Sequence, residues 1–259
     1  MTLNKDLRIK IVEMISRAGE GHIPSSFSIL DIIHFIYKEF LKYKPKNTKW
    51  KNRDYFILSK GHGCASLYIV LNKFGILKNS DILKYSSKSG ILGGHPDSTN
   101  VPGAEASTGS LGHGFPTAVG LALGLKIQKK KNKIIVLLGD GECHEGTIWE
   151  SANVANNLNL GNICAIIDWN GSAVQLMPKD KLLKKWQAFG WKTYIADGHS
   201  NKSLRKTFKK INFKLHGKPT VILAKTTKGK GVSFLEGHGG WHHKLPNEEE
   251  KLAIINELK

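Results

Sequence analysis

The chain has 259 residues, of which 40% are hydrophobic, and its 39 Lys and Arg against 21 Asp and Glu give a formal net charge of +18. The longest apolar runs, such as 134–138 and 164–167, are far shorter than the roughly 18 residues that a membrane-spanning helix needs, and the three cysteines form no CxxC pair. These features argue against a membrane protein, a disulfide framework and a structural zinc site, so we expect a single cytoplasmic domain over residues 1–259.

Two helices separated by a glycine-rich loop are predicted at the start of the chain. Apolar residues recur at helical spacing from Leu7 to Ile15 and again from Leu30 to Ile36. The stretch AGEGHIPSS interrupts the pattern, because its glycines and proline favour a turn. This predicted loop carries His22.

Strands and helices alternate along the rest of the chain. Short apolar runs predict strands at 55–58, 134–138, 163–167, 192–195 and 220–225, with helical stretches between most of them. This alternation predicts an α/β fold with a mostly parallel sheet and helices on both faces. Ligands of such sheets bind beyond the carboxyl ends of the strands. We therefore expect the functional face to collect residues around His62, Gly109, Asp140, Asn170 and Lys228.

The turn GDGE, at the end of the predicted strand 134–138, is a candidate cation site. Asp140 lies between two glycines, and Asn170 follows the next strand thirty residues later. Their side-chain oxygens, with a nearby backbone carbonyl, suit a hard cation such as Mg²⁺ or Ca²⁺ and leave room for anionic ligand oxygens. The alternative is that Asp140 and Glu142 only cap the helix that follows, where negative charge is favourable.

A longer stretch around this turn, GDGECHEGTIWESANVANNLNLGNICAIIDWN, resembles the thiamine diphosphate motif in its transketolase form. The chain also contains, in the matching order, SRAGEGHIPSSFS, PKNTKWKNRDYFILSKGHG, LGGHP, STGSLGHGFPTAVGLALG, WQAFGW and KTTKGKGVSFLEG with WHHKLPNEEE. Most of the chain thus resembles the N-terminal, diphosphate-binding subunit of a split transketolase. The resemblance implies the thiamine-diphosphate-binding fold and a transferase that moves a glycolaldehyde unit.

The resemblance also implies roles for individual residues. The metal, Mg²⁺ or Ca²⁺, would be bound by Asp140, Asn170 and the carbonyl of Ser172. Thiamine diphosphate would be bound by His62, Gly109, Leu111, Asp140, Gly141, Asn170, Lys228 and His242. Sugar chemistry would fall to His22, His62, His95 and His242, which suits imidazole because it exchanges protons near neutral pH.

Other polar residues carry weaker expectations. We expect His34, His199 and His216 to be structural or surface residues. Glu145 and Glu150 correspond to acidic residues near the family's subunit interface, although charge at a helix N-terminus would explain them equally well. The roles of His113, His144, His238 and His243 stay open.

A partner chain is the last implication of the resemblance. Full transketolases continue into pyrimidine-binding and C-terminal domains, so we expect these on a C-terminal subunit, in a heterotetramer that acts on sugars or sugar phosphates. The interface should use apolar side chains from the helices after GSLGHG and GDGE. Alternative functions are a deoxyxylulose phosphate synthase-like or 2-oxo acid dehydrogenase-like subunit.

The excess of lysine suggests a further alternative, a non-catalytic basic protein that binds nucleic acid. The lysine runs at 129–131, 184–185 and 209–210 instead belong to helix-like stretches, where a solvated face explains them. We therefore predict no nucleic-acid partner and no membrane partner.

Overall fold

The computed structural model describes residues 3–173, 179–237 and 240–259, with residues 179 and 180 described by their backbone alone. Its strands form one five-stranded sheet in the order β1-β2-β3-β5-β4, and every neighbouring pair is parallel. The strands are β1 Tyr55–Leu58, β2 Ile134–Gly139, β3 Ile163–Trp169, β4 Lys192–Asp197 and β5 Thr220–Lys225. The predicted α/β class and all five predicted strands are confirmed.

The central strands are buried on both faces. Every residue of β2 and β3 is buried, whereas β4, at the edge of the sheet, is largely accessible. Continuous apolar runs such as IIVLL and ICAII are typical of such doubly covered parallel strands, because both faces need apolar partners. Successive side chains of β2 and β3 therefore enter two different cores.

Helices cover the two faces unequally. One core packs against α1 Lys5–Ala18, α2 Ile23–Phe35, α3 Cys64–Lys73, α8 Asn201–Phe208 and α9 Glu248–Leu258. The other packs against α5 Gly114–Ile127, α6 Gly146–Asn157 and α7 Lys179–Ala188. The short α4 Asn79–Leu83 is peripheral and has no fully buried residue. Across the described stretches, none of these helices combines the length and apolar character needed to span a membrane.

Parallel strands bring their polar continuations to one edge of the sheet. His62 follows β1, Asp140 follows β2, Asn170 follows β3 and Lys228 follows β5. The register pairs Gly139 at the end of β2 with Asp168 near the end of β3, so the turns after these strands begin side by side. A site can thus form where the carboxyl ends of the strands meet.

Aromatic packing under α7 provides a test of the second core. Trp186 is fully buried, and its ring centroid lies 5.8 Å from that of Phe115, 5.2 Å from Trp149 and 4.9 Å from Trp191. We expect Trp186→Ala to lower the free energy of unfolding by about 3–5 kcal/mol, measured by urea titration, because it leaves a large cavity. Leu252→Ala, at a position on α9 that is 58% exposed, is the control. An equal loss in both variants would contradict this packing.

Candidate functional site

A cavity of about 370 Å³ opens at the carboxyl edge of the sheet. All the site residues that the sequence predicts line this one cavity. Its lining consists of His22, Ser25, Lys60, His62, His95, Gly109, Leu111, Gly139, Asp140, Gly141, Glu142, Asn170, Ser172, Lys228 and His242. Residues from distant parts of the chain therefore converge here, as the strand ends predict.

The loop between Thr108 and α5 forms one wall of the cavity and requires a glycine. Gly109 has a φ of +155°, and a Cβ atom there would lie 3.0 Å from the His95 ring. A side chain at this position would strain the backbone and displace the imidazole. Gly109 therefore lets the loop approach His95 closely.

Asp140 lies at the floor of the cavity, in a nest of backbone amides. The Gly141 N–H donates to its Oδ1 at 2.8 Å, and the Gly171 N–H donates to its Oδ2 at 2.7 Å. Burial raises the pKa of Asp140, and so does the nearby Asp168 carboxylate, while the bond from Gly171 partly opposes the rise. A cation beside Asp140 would relieve the cost of this buried negative charge.

Any cation here would depend on mixed oxygen ligands. Within the described parts of the chain, no group of three His, Cys, Asp or Glu side chains is arranged to hold a metal ion. Asp140, Asn170 and Ser172 nevertheless line the same cavity and offer a carboxylate, an amide oxygen and a backbone carbonyl. Hard cations such as Mg²⁺ and Ca²⁺ bind oxygen ligands of these kinds, so the residues fit such an ion.

Asp168, which the sequence analysis did not assign to the site, organises the residues behind Asn170. It is fully buried, with Lys60 Nζ at 2.6 Å and Asn170 Nδ2 at 2.9 Å from its Oδ2. Its Oδ1 accepts hydrogen bonds from the hydroxyls of Ser28 and Thr226. The bond to Asp168 turns the Asn170 amino group inward and orients its amide oxygen away from that carboxylate. A charged residue inside an apolar strand was the available sequence signal.

Glu142 has a structural task that differs from helix capping. It is buried and accepts hydrogen bonds from the Ser59 hydroxyl at 2.5 Å and from the backbone amides of Gly112 and Gly139 at 3.0 and 3.1 Å. The N-cap of α6 is instead Glu145, which makes no side-chain capping bond. Glu142 therefore links the ends of β1 and β2 to the loop before α5 that contains Gly112, and it does not cap α6.

Three predicted histidines form a tight cluster above this floor. The ring centroid of His22 lies 5.3 Å from that of His62 and 5.2 Å from that of His242. Burial, followed by the neighbouring Lys60, lowers the pKa of His62 to about 2, and burial, followed by His243, lowers that of His22 to about 4. Both rings are thus neutral at pH 7, and a neutral imidazole offers one hydrogen-bond donor and one acceptor.

Lys228 brings positive charge into the cavity. It is buried, its Nζ lies 2.7 Å from His242 Nδ1, and burial, followed by repulsion from Lys60, lowers its pKa. Lys60 is already paired with the Asp168 carboxylate. Lys228 contacts a neutral ring instead, so its charge is directed toward the cavity, where an anionic group such as a phosphate would find it.

The remaining histidines lie elsewhere or stay unassigned. His34 is buried in α2 and His216 is exposed, as a structural or surface role requires, whereas His199 hydrogen-bonds to the buried Asp31. The His243 ring lies 4.5 Å from His22 at the cavity rim. His113 and His144 are exposed, and so are Glu145 and Glu150. His238 lies outside the described residues.

Known proteins share this fold over nearly the whole chain. An apulose-4-phosphate transketolase subunit from Phocaeicola vulgatus is 36% identical over 256 residues, which cover 97% of this chain and 90% of that protein. The corresponding protein from Actinobacillus succinogenes is 39% identical over 261 residues, covering 98% and 94%. The crystal structure of transketolase from Campylobacter jejuni superposes with a TM-score of 0.88 at 29% identity, covering 97% of this chain and 41% of that one.

These comparisons agree with a family-level match. The chain spans nearly all of the two subunits named above but about two fifths of the single-chain transketolase. The family described as "Transketolase, thiamine diphosphate binding domain" matches residues 2–257. A match of this extent shows that the protein belongs to the transketolase family, through its thiamine diphosphate binding domain.

Proposed function

We propose that this chain is the diphosphate-binding subunit of a two-chain transketolase, which transfers a two-carbon ketol unit from a ketose to an aldose. The observation that carries the proposal is the convergence of Asp140, Asn170, Lys228 and the histidine cluster on one cavity. This reaction needs three kinds of group: oxygen ligands for a cation, a buried ammonium group for a phosphate, and neutral imidazoles for hydroxyl groups.

The metal and diphosphate would occupy the floor of the cavity. Asp140, Asn170 and the Ser172 carbonyl would bind Mg²⁺ or Ca²⁺, and Lys228 would neutralise phosphate charge. Gly141 would offer its amide, which at present donates to Asp140 Oδ1. Gly109, Leu111, His62 and His242 would contact the rest of the cofactor. When bound, thiamine diphosphate supplies a thiazolium ring that stabilises the carbanion of the transferred fragment.

The histidines would handle the sugar hydroxyl and carbonyl groups. His22, His62, His95 and His242 line the cavity, and among the described residues the buried Nδ1 of His22 has no hydrogen-bond partner. A substrate hydroxyl could supply that partner. Burial lowers the pKa of His22, His62 and His242, so near neutral pH these rings would act on the sugar as neutral hydrogen-bond donors and acceptors.

A phosphorylated ketose is the favoured donor. The relatives named above are transketolase subunits described by a sugar phosphate, apulose-4-phosphate. This favours a ketose donor over the pyruvate or 2-oxo acid of the alternative thiamine diphosphate enzymes. Membership of an enzyme family, together with a formed cavity, also argues against a basic protein without catalysis.

A second chain would bury the outer face of α5 and α6. On this face Ile127 is 71% exposed, Val154 is 45% exposed and Leu158 is 39% exposed. Exposed aliphatic side chains on neighbouring helices are typical of a surface that another protein chain covers. The relatives carry the word subunit in their names, so we infer a partner with the pyrimidine-binding and C-terminal domains, in a heterotetramer of two copies of each chain.

Removing the proposed metal ligands tests the cofactor site. In calorimetry with Mg²⁺, with and without the partner subunit, we expect Asp140→Ala and Asn170→Ala each to weaken thiamine diphosphate binding by about 100-fold or more, because each removes an oxygen ligand. EDTA should have the same effect on the wild type. Asp97→Ala is the control, since that carboxylate lies in an exposed loop and accepts a hydrogen bond from Thr99.

The proposal would be overturned if the wild type bound no thiamine diphosphate both with and without the partner subunit. If binding is found, the complex with the partner should consume a ketose phosphate donor and leave pyruvate unchanged. Pyruvate decarboxylation without ketose turnover would instead support the alternative enzymes.

The outer face of α5 and α6 predicts the effect of charge on assembly. We expect Ile127→Asp combined with Val154→Asp to shift the association midpoint with the partner by about tenfold or more in analytical ultracentrifugation, because the charges would be buried at an apolar interface. The matched control, Leu252→Asp, changes an exposed aliphatic residue on α9. Unchanged assembly in the double variant would exclude this face as the interface.

The neutral histidines predict a pH dependence of stability. The pKa of His62 is about 2 in the folded chain and near 6.5 when unfolded. Only the unfolded chain takes up this proton as the pH falls below about 6.5, so the stability from His62 is lost as the solution becomes more acidic. In urea titrations, His62→Asn should gain about 1 kcal/mol relative to the wild type between about pH 7.5 and about pH 5.5. The exposed variant His216→Asn should show no such gain.

A further inference from the structure

The loop at residues 226–231, which follows β5, carries Lys228 into the cavity and is anchored to two buried carboxylates. The first is Asp168, which accepts a hydrogen bond from the Thr226 hydroxyl. The second is Asp31, which lies in α2 and is also buried. Asp31 does not line the cavity and acts on the loop through another side chain, His199.

His199 bridges Asp31 and the loop. Its Nδ1 lies 2.8 Å from Asp31 Oδ2, and the backbone N–H of Thr227 donates to its Nε2 at 2.9 Å. A backbone amide can only donate, so Nε2 must be unprotonated and Nδ1 must carry the proton that points at the carboxylate. His199 is therefore held as one neutral tautomer, and its ring transmits the position of Asp31 to the residue before Lys228.

Asp31 also acts on the other side of Lys228. Its two oxygens lie 3.1 and 2.8 Å from the Arg8 guanidinium, whose Nε donates to the carbonyl of Lys230 at 2.9 Å. Burial alone would raise the pKa of Asp31, but hydrogen bonds from His199 and Arg8 outweigh it and lower that pKa. One ionised carboxylate in α2 thus holds the loop at Thr227 and at Lys230.

The backbone between these two anchors has little freedom. Gly229 has a φ of +77°, and a Cβ atom there would lie 2.0 Å from the Leu235 carbonyl oxygen. Its N–H donates to the Pro24 carbonyl at 3.0 Å. Lys228 consequently projects from a loop whose backbone position is fixed by α2 and His199.

We propose that Asp31 and His199 are positioning residues that hold Lys228 where its ammonium group meets the diphosphate of the cofactor. The inference rests on the proposed function, since it assigns the diphosphate to Lys228. It deepens that function by including two residues that touch neither the cavity nor the ligand. His199, which sequence reasoning assigned to the structure or the surface, gains a role in binding.

Two conservative substitutions separate the two bonds that His199 makes. His199→Asn keeps a donor at the level of Nδ1 for Asp31 but offers no acceptor to Thr227. His199→Gln reaches the level of Nε2 and can accept from Thr227. We expect His199→Asn to speed amide hydrogen exchange of a peptide covering 226–231 and to weaken thiamine diphosphate binding with Mg²⁺ and partner by about tenfold. His199→Gln should restore only part of both, because it regains the bond to Thr227 without the bond to Asp31.

A double-mutant cycle links this loss to Lys228. Lys228→Met alone should weaken binding, and Lys228→Met with His199→Asn should weaken it no further, because His199 acts through the lysine. Additive losses would overturn the inference, as would equal losses in the Asn and Gln variants, which point to packing alone. If the wild type binds and His199→Asn leaves both affinity and exchange unchanged, the inference fails while the proposed function stands. If the wild type does not bind at all, both fail.

Discussion

The ion pair between Lys60 and Asp168 is the constraint on which the site depends. Both side chains are buried, and the two charged atoms are 2.6 Å apart. A charge in such a place is tolerated only if its partners are complete, and Asp168 also accepts hydrogen bonds from Ser28, Thr226 and Asn170. These donors come from α2 and from the ends of β1, β3 and β5. A single carboxylate thus fixes the relative positions of four elements at the edge of the sheet.

This arrangement divides the polar groups between structure and binding. Lys60 and the amino group of Asn170 are used within the protein, because Asp168 takes them as partners. Lys228 lines the cavity as Lys60 does, but its Nζ lies against His242 Nδ1, and the amide oxygen of Asn170 turns away from Asp168 and accepts from the Ser172 N–H. The proposed binding groups therefore owe their direction to neighbours that do not bind the ligand. The same principle holds for Asp31 and His199 at the next loop, where the contact is made through backbone atoms.

Local sequence patterns predicted the sheet and its polar strand ends, because each of these is encoded by neighbouring residues. The other predicted cavity residues, such as His22, His95 and His242, came from the resemblance to transketolases. Apolar runs indicate buried strands, and the turn GDGE shows where a strand ends. The network of Asp168 could not be predicted this way. Its partners Lys60 and Ser28 are 108 and 140 positions away in sequence, and no spacing rule connects them. Similarly, His199 is an ordinary loop residue until the fold brings it to Asp31. The roles of the individual cavity residues stay predictions.

The strand order also constrains how the protein can fold while it is being synthesised. β5 lies between β3 and β4, although β4 precedes it in the chain. While residues up to Asp197 are emerging, the edge of β3 is an unpaired strand and β4 has no neighbour to dock against. Only when Lys225 has been synthesised can the sheet close, and the lysine loop follows directly behind it. The edge of β3 therefore stays open until β5 has been made, even though β4 is already present.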